Sequence, residues 1–224
     1  MKAKRIFLAV LLTAALSVSS AAPAVLAESP AAPEVTTITV FRPNLGEEDY
    51  MGLQSVDGET LLPPAFASIE VVGKFAIVYS DETDSFYLYD WQKRAFVAEY
   101  PMMYTSGDYI VIAESWEDGN YGLLDQSGAV VTEMQWLWMG GVADDVVWVA
   151  ADEDTMRVNL LHIPSGEMLL DEWADYCTEF SGGYSGFVRD GHVFFVDAEG
   201  NVQETSFVKP HSVCSRPCRP SEYG

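Results

Sequence analysis

Positive charge is what this chain lacks. Against 34 Asp and Glu stand 12 Lys and Arg, a formal charge of −22 at pH 7. Between residues 28 and 206 the only cations are Arg42, Lys74, Lys93, Arg94, Arg157 and Arg189. Such a surface cannot neutralise phosphates, which argues against nucleic acid and anionic membranes as partners. A charged partner is expected to be cationic, either a metal ion or a basic protein surface. Histidine and cysteine are also scarce, at three each. After the first 20 residues there is no second long apolar run, so no membrane insertion is expected beyond that point.

The apolar run that does occur reads as a leader. Lys2, Lys4 and Arg5 precede "IFLAVLLTAALSV", and "VLA" at 25–27 supplies a small-residue cleavage site before Glu28. Export is therefore expected, to the cell envelope or the medium. Removing residues 1–27 takes away three positive charges and leaves about −25. "ESPAAPEVT" at 28–36 reads as a spacer. The tail at 208–224, "VKPHSVCSRPCRPSEYG", breaks from the rest in being basic and Pro-rich. Export permits a local Cys214–Cys218 disulfide, and it equally permits a thiol pair or an intermolecular bond. The tail's Cys-x3-Cys with His211 nearby lacks a fourth ligand and the usual spacing for zinc.

Acidity here does not mean disorder. Apolar residues make up 49% and aromatics 12% of the chain, which suffices for a sizeable core. Between 37 and 207 one pattern recurs. An apolar run, a polar turn and a second apolar run appear as "FYLYDWQKRAFVAEY", "YGLLDQSGAVVTEM" and "VFFVDAEGNVQE". Aligned on the turn, the units fall at Gly58, Lys93, Gly128, Gly166 and Gly200, spaced 35, 35, 38 and 34 residues apart. Asp90, Asp125 and Asp197 each sit three residues before the turn position. A third strand, "FAIVYS", "YIVIAE" or "VVWVAA", follows each hairpin through an irregular aromatic link with room for a short fourth strand. A lone meander of this size is marginal, so successive units should stack. The expected fold is all-β and propeller-like, closed by "TITVF" (37–41) pairing with the last hairpin at 192–205. The alternative is an open β-solenoid stack.

"YGLLDQSGAVV" followed by "GGVADDVVWVA" resembles the WG-repeat family: aromatic-Gly, two apolar residues and Asp, a Gly turn, an apolar strand, then Gly before another strand. "MGLQSVDGETLLPPAFASI" matches at Gly52, Gly58, Pro63 and Pro64 and departs at Met51 and Ser55. The units at 85–114 and 192–205 keep Asp90 and Asp197 but lack the aromatic-Gly pair, and the fourth unit lacks both. The resemblance covers residues 50–205. It implies a bacterial β-repeat protein used for interaction, and it supplies no catalytic residues.

Two sets of side chains are candidates for a site. Loops leaving the third strand are acidic in unit after unit: Asp81, Glu82 and Asp84, then Glu117 and Asp118, then Asp152, Glu153 and Asp154, then Asp190. On a shared rim they could take Ca²⁺ or a basic partner, although turns favour Asp in any case. No stretch matches an EF-hand loop. Trp136 and Trp138 alternate, so in one strand they would share a face and, with Trp116, Trp148, Trp173, Tyr104 and Tyr184, could line a groove for sugar rings or peptide. The competing reading of these aromatics is core packing. Catalytic patterns are thin. "GGYSG" (182–186) is only superficially a nucleophile elbow, since Phe187 stands where its closing glycine belongs. His162 and His192 lie in apolar strand patterns and read as structural. The sequence thus points to an exported, non-catalytic binding or scaffold module for a protein partner, without a cofactor unless calcium serves. The alternative is a carbohydrate-binding or glycan-processing protein.

Overall fold

The computed structural model describes residues 37–43, 50–116 and 119–208. The leader, the spacer, the residues from 209 on with Cys214 and Cys218, and Glu117 and Asp118 lie outside the described residues. Within them the fold is all-β and propeller-like, a succession of five antiparallel meanders. The first sheet has three strands, β1 (Ile38–Phe41), β2 (Met51–Ser55) and β3 (Thr60–Phe66). The second has β4 (Ser68–Val72), β5 (Phe75–Ser80), β6 (Ser85–Asp90) and β7 (Ala95–Tyr100). The third has β8 (Met102–Ser106), β9 (Tyr109–Ala113), β10 (Tyr121–Asp125) and β11 (Val130–Trp136). The fourth has β12 (Trp138–Met139), β13 (Val146–Ala150), β14 (Val158–His162) and β15 (Glu167–Met168). The fifth has β16 (Tyr176–Cys177), β17 (Tyr184–Arg189), β18 (His192–Asp197) and β19 (Val202–Val208).

Sheets and sequence repeats are out of phase. The chain changes sheet inside the aromatic link, so each four-stranded sheet takes its first two strands from one sequence unit and its hairpin from the next. The short strand allowed for in the link is real: β4, β8, β12 and β16. The ring-closing pairing is not used. β1 pairs with β2, Val40 opposite Leu53, and 192–205 pairs within the fifth sheet. A short connection from 42 to 50 makes the local pairing entropically cheaper than one across the whole domain.

Register explains the packing. In the first four sheets one cross-strand pair looks toward the next sheet: Val40–Leu53, Ile77–Leu88, Val111–Leu123 and Trp148–Leu160. The neighbouring pair looks back in the second to fifth sheets: Ala76–Tyr89, Ile110–Leu124, Val147–Leu161 and Ser185–Val196. Alternation of side chains along each strand therefore makes two apolar faces per sheet. Four core clusters fill the gaps between consecutive sheets. Leu53 meets Val78 and Tyr89, and Leu88 meets Ile110 and Leu124. Leu123 meets Val147 and Leu161, and Trp148 meets Phe187 and Val196.

The turns follow local chemistry. Gly58, Gly128, Gly166 and Gly200 all close the hairpin of their sheet, with φ of 83°, 81°, 70° and 81°. In the second sheet the left-handed residue is Arg94, φ 56°. The recurring aspartates bind the turn backbone. Asp125 Oδ1 accepts from Ser127 N at 2.7 Å and Ala129 N at 3.0 Å, Asp90 Oδ1 from Lys93 N at 2.9 Å, and Asp197 Oδ1 from Asn201 N at 2.8 Å.

The glycine of the aromatic-Gly pair has a separate cause. Opposite Gly52 and Gly122 the last strand of the sheet bulges. A Cβ on Gly52 would lie 2.7 Å from the Leu62 carbonyl oxygen, and one on Gly122 would lie 2.6 Å from that of Thr132. In the fourth sheet the same place holds Asn159. Its side chain donates to Leu170 O at 3.0 Å and accepts from Leu170 N at 3.2 Å, bonding the chain where β15 has already ended.

Candidate interaction surface

In these meanders the turn between a sheet's first two strands and the turn closing its hairpin lie at the same end. Between the third and fourth sheets this end is concave and acidic. Asp108, Tyr109, Asp125, Gln126, Ser127 and Asp145 line a depression of about 450 Å³. A second depression of about 360 Å³ adjoins it and adds Gly107, Val142 and Asp144. Among the described residues no Lys, Arg or His lines either one. The turns carrying these carboxylates need left-handed backbone, supplied by Gly107 (φ 57°), Asp144 (φ 47°) and Asp145 (φ 61°). Asp is one of the few L-residues enriched there.

Hydrogen bonds fix the walls. Tyr109 Oη donates to Asp145 Oδ1 at 2.8 Å, joining the third sheet to the fourth. Gln126 Nε2 donates to Asp108 Oδ1 at 3.2 Å, and Val142 N donates to Ser106 Oγ at 2.8 Å. Burial, the bond to Asp145 and the nearby charges of Asp108 and Asp125 push the Tyr109 phenol up to about 12, so it stays a donor at neutral pH. The hydrogen bond from Ser127, with backbone donors behind it, holds Asp125 below its ordinary value despite some burial. The arrangement offers carboxylate oxygens to an ammonium or guanidinium group.

The acidic loops singled out in the sequence that fall within the described residues, at Asp81, Asp84, Asp152 and Asp190, are at the opposite end. Asp84 Oδ1 accepts from Tyr79 Oη at 2.9 Å, and Asp81 Oδ2 accepts from Tyr50 Oη at 3.3 Å. Asp152 turns back on its own loop, accepting from Asp154 N at 2.8 Å. Among the described residues no three His, Cys, Asp or Glu side chains are placed to hold a metal ion, and Glu117 and Asp118, considered for calcium with Asp152, Glu153 and Asp154, lie outside the described residues. The sequence missed Asp108, Asp144 and Asp145. Their signal was "SGDY" and "ADDV", two-residue turns equivalent to each other one repeat apart.

The aromatic candidates do not share one groove. Trp136 ends β11 in the third sheet and Trp138 begins β12 in the fourth, because the chain changes sheet at Leu137. Trp136 packs against the core between the third and fourth sheets, and Trp138 is buried between the fourth and fifth. Their indole nitrogens and that of Trp91 are buried without a hydrogen-bond partner. Tyr104 packs beside Trp136, and burial pushes its phenol up to about 12. Trp116 stands apart: it is 52% exposed, its ring 5.6 Å from that of Phe86.

The remaining chemical suspects are accounted for by structure. Ser185 of "GGYSG" donates to Thr178 O at 2.6 Å, accepts from Trp148 Nε1 at 2.9 Å, and is followed by strand rather than helix. His162 and His192 are at strand ends rather than inside them, beside Ser165 Oγ (2.8 Å) and Glu204 Oε1 (3.4 Å). Cys177 is buried between the fourth and fifth sheets.

No family model matches the chain, and no curated protein matches it. Solved structures similar to it include dihydro-heme d1 dehydrogenase NirN in complex with DHE, at 15% identity and a TM-score of 0.40, covering 80% of this chain and 45% of that one. Another is Hsv2 of Kluyveromyces lactis, at 10% identity and a TM-score of 0.39, covering 70% and 57%. A third is the N-terminal domain of Nup159, at 11% identity and a TM-score of 0.38, covering 66% and 45%. The chain thus spans between about two fifths and three fifths of the length of these three chains.

Proposed function

We propose that this is an exported, non-catalytic scaffold of WG-like repeats that binds a cationic protein surface through the acidic end between its third and fourth sheets. The observation that carries the reading is the distribution of charge. Four of the six cations between residues 37 and 208 are already tied to carboxylates: Lys93 to Asp90, Arg94 to Glu59, Arg157 to Asp175 and Arg189 to Glu172. The carboxylates of the concave end face solvent with no cation among the lining residues. Complementary charge on a partner would set orientation and speed of encounter, while repeat-built walls hold the concavity in shape.

The test compares two variants of equal charge. Asp108→Asn with Asp125→Asn and Asp145→Asn removes three charges from the concave end. Asp81→Asn with Asp84→Asn and Asp190→Asn removes three from the other. Fluorescence anisotropy with a labelled octalysine peptide should show roughly tenfold weaker binding for the first and under about twofold for the second. Equal losses would mean that net charge alone attracts the probe, and the reading fails. The rival glycan reading rests on exposed Trp116 over Phe86, and it requires a glycan-array signal that disappears in Trp116→Ala.

A further inference from the structure

The first sheet has three strands where the others have four, and the missing one is the first. Its hairpin β2–β3 closes at Gly58, and Val40 on β1 stands opposite Leu53 as Ile77 on β5 stands opposite Leu88, so β1 holds the second place. Among the described residues no strand lies on the other side of β1. Burial marks the gap. Val40 is only partly buried, while Ile77, Val111 and Trp148 at the same position are 3%, 0% and 2% exposed. On the second sheet Val71 is 42% exposed. Its counterpart one sheet on is Thr105, since each stands two residues before the glycine that leads into the second strand, Gly73 or Gly107. Thr105 is met by the first strand of the preceding sheet: its Oγ1 donates to Glu70 Oε1 of β4 at 2.5 Å, and Glu70 stands opposite Ile77. A residue placed opposite Val40 would meet Val71 in the same way.

We propose that the open edge of β1 takes an extended segment of another polypeptide as the fourth strand of the first sheet. This goes beyond the cationic partner proposed for the acidic end and is independent of it. The backbone calls for a strand. β1 pairs with β2 in unbroken register from Ile38 to Phe41, so its outward N–H and C=O groups form a regular ladder. The strands at the far edge of the sheets, β3, β7, β11 and β19, each carry a register shift instead. The sequence just upstream is unsuited to the place. In the other sheets the turn before the second strand has positive φ at Gly73, at Gly107, at Asp144 and Asp145, and at Gly182 and Gly183. Thr36-Thr37 stands there instead, and β-branched residues are outliers at positive φ. Counted back in the same register, Pro33 falls opposite Val40 and has no N–H to give. Side chains specify the segment. Ile38 and Val40 join the core toward the second sheet, and Arg42 follows in the same alternation, touching Met51 Sδ at 3.8 Å. Among the described residues Arg42 has no carboxylate partner, although the chain is strongly acidic. A segment running antiparallel to β1, as the first strand of every other sheet runs to its second, starts opposite Arg42 and passes Val40 and then Ile38. The partner segment is therefore acidic at its start and apolar at the third and fifth positions, with the third against Val71.

Fluorescence anisotropy of the full chain with a labelled peptide, Glu-Thr-Val-Thr-Val-Thr, tests this. The peptide should bind. Two N-methylated forms of it, blocked at alternate amides, should differ: the one blocked on the side facing β1 loses binding and the other keeps it. Val71→Asp should weaken binding by about tenfold or more, because the peptide would bury the new charge. Val130→Asp, an equal charge on exposed β11, should leave binding unchanged. Arg42→Gln should abolish the preference for glutamate over glutamine at the first position. Val71 and Arg42 are exposed, so unchanged near-ultraviolet circular dichroism is expected of both variants. No binding, equal binding of the two methylated forms, or indifference to Val71→Asp overturns the proposal. So does binding that appears only when residues 28–36 are deleted, since the chain itself would then be the occupant.

Discussion

Trp148 Nε1 donates to Ser185 Oγ across 2.9 Å, and the two residues are 37 positions apart. The bond crosses from the fourth sheet to the fifth, and its sequence distance is one repeat. Other ties between neighbouring sheets have the same span: Arg94 with Glu59 (35), Thr105 with Glu70 (35), Val142 with Ser106 (36) and Tyr109 with Asp145 (36). A sheet that shares cores with its neighbours is also fastened to them by polar groups at repeat spacing.

Ser185→Ala leaves the buried Trp148 indole N–H without an acceptor. Urea unfolding should show a loss of about 1–3 kcal/mol, the cost of an unsatisfied buried donor. Trp148→Phe in the Ser185→Ala background should lose much less than the two separate effects added, because the stranded donor goes with the indole. Additive losses would mean that the hydrogen bond contributes nothing specific.

Gly122→Ala should be more damaging than Gly166→Ala. At Gly122 the added Cβ meets the Thr132 carbonyl oxygen at 2.6 Å, so β11 must move. At Gly166 nothing lies within 4 Å, and only the φ of 70° resists, at about 1–2 kcal/mol. Thermal melts of the two variants give the order directly, and a larger loss for Gly166→Ala would contradict the account of the bulge.

Much of this was readable in the sequence. Gly58, Gly128, Gly166 and Gly200 mark hairpin turns because glycine tolerates their backbone; Asp125 and Asp197 mark two of the same turns, and Asp90 the glycine-free turn of the second sheet, because their carboxylates bind it. The sheet boundary was not readable. It falls at Leu137 and equivalent places, inside links whose strands can be as short as β12 and β16, two residues each. Period-two alternation of Trp136 and Trp138 therefore suggested one face where the chain was passing between sheets. The concave acidic end was hidden for a related reason: Asp108 and Asp145 belong to tight turns of different sheets, and only the stacking brings them together.

Acid should loosen the fold through the turn aspartates. Asp90 is buried, and the hydrogen bonds and charge of Lys93 hold its carboxyl below the ordinary 3.8 against that burial. Asp125 and Asp197 are lowered by their bonds to Ser127 and Asn201. A depressed folded-state value stabilises above the unfolded value and loses that contribution as pH falls through the folded one. Urea midpoints should hold steady from pH 7 to about 5 and drop below about pH 4. Asp90→Asn should flatten part of that drop, and an unchanged profile would refute the assignment.

At the alkaline end Tyr104 and Tyr109, both pushed up to about 12, should ionise late. A raised value stabilises below the unfolded one, near 10, and the contribution is lost between pH 10 and 12. Absorbance at about 295 nm, the usual phenolate signal, should show late-titrating phenols. Tyr109→Phe should remove one of them.

Native-state hydrogen exchange is the most direct test of neighbour-dependent stacking. β9–β10 and β13–β14 belong to sheets covered on both faces, and β17–β18 to a sheet covered on one. The account predicts slower exchange for the central amides of the first two hairpins than for those of β17–β18. Equal protection, or slower exchange in β17–β18, would contradict it.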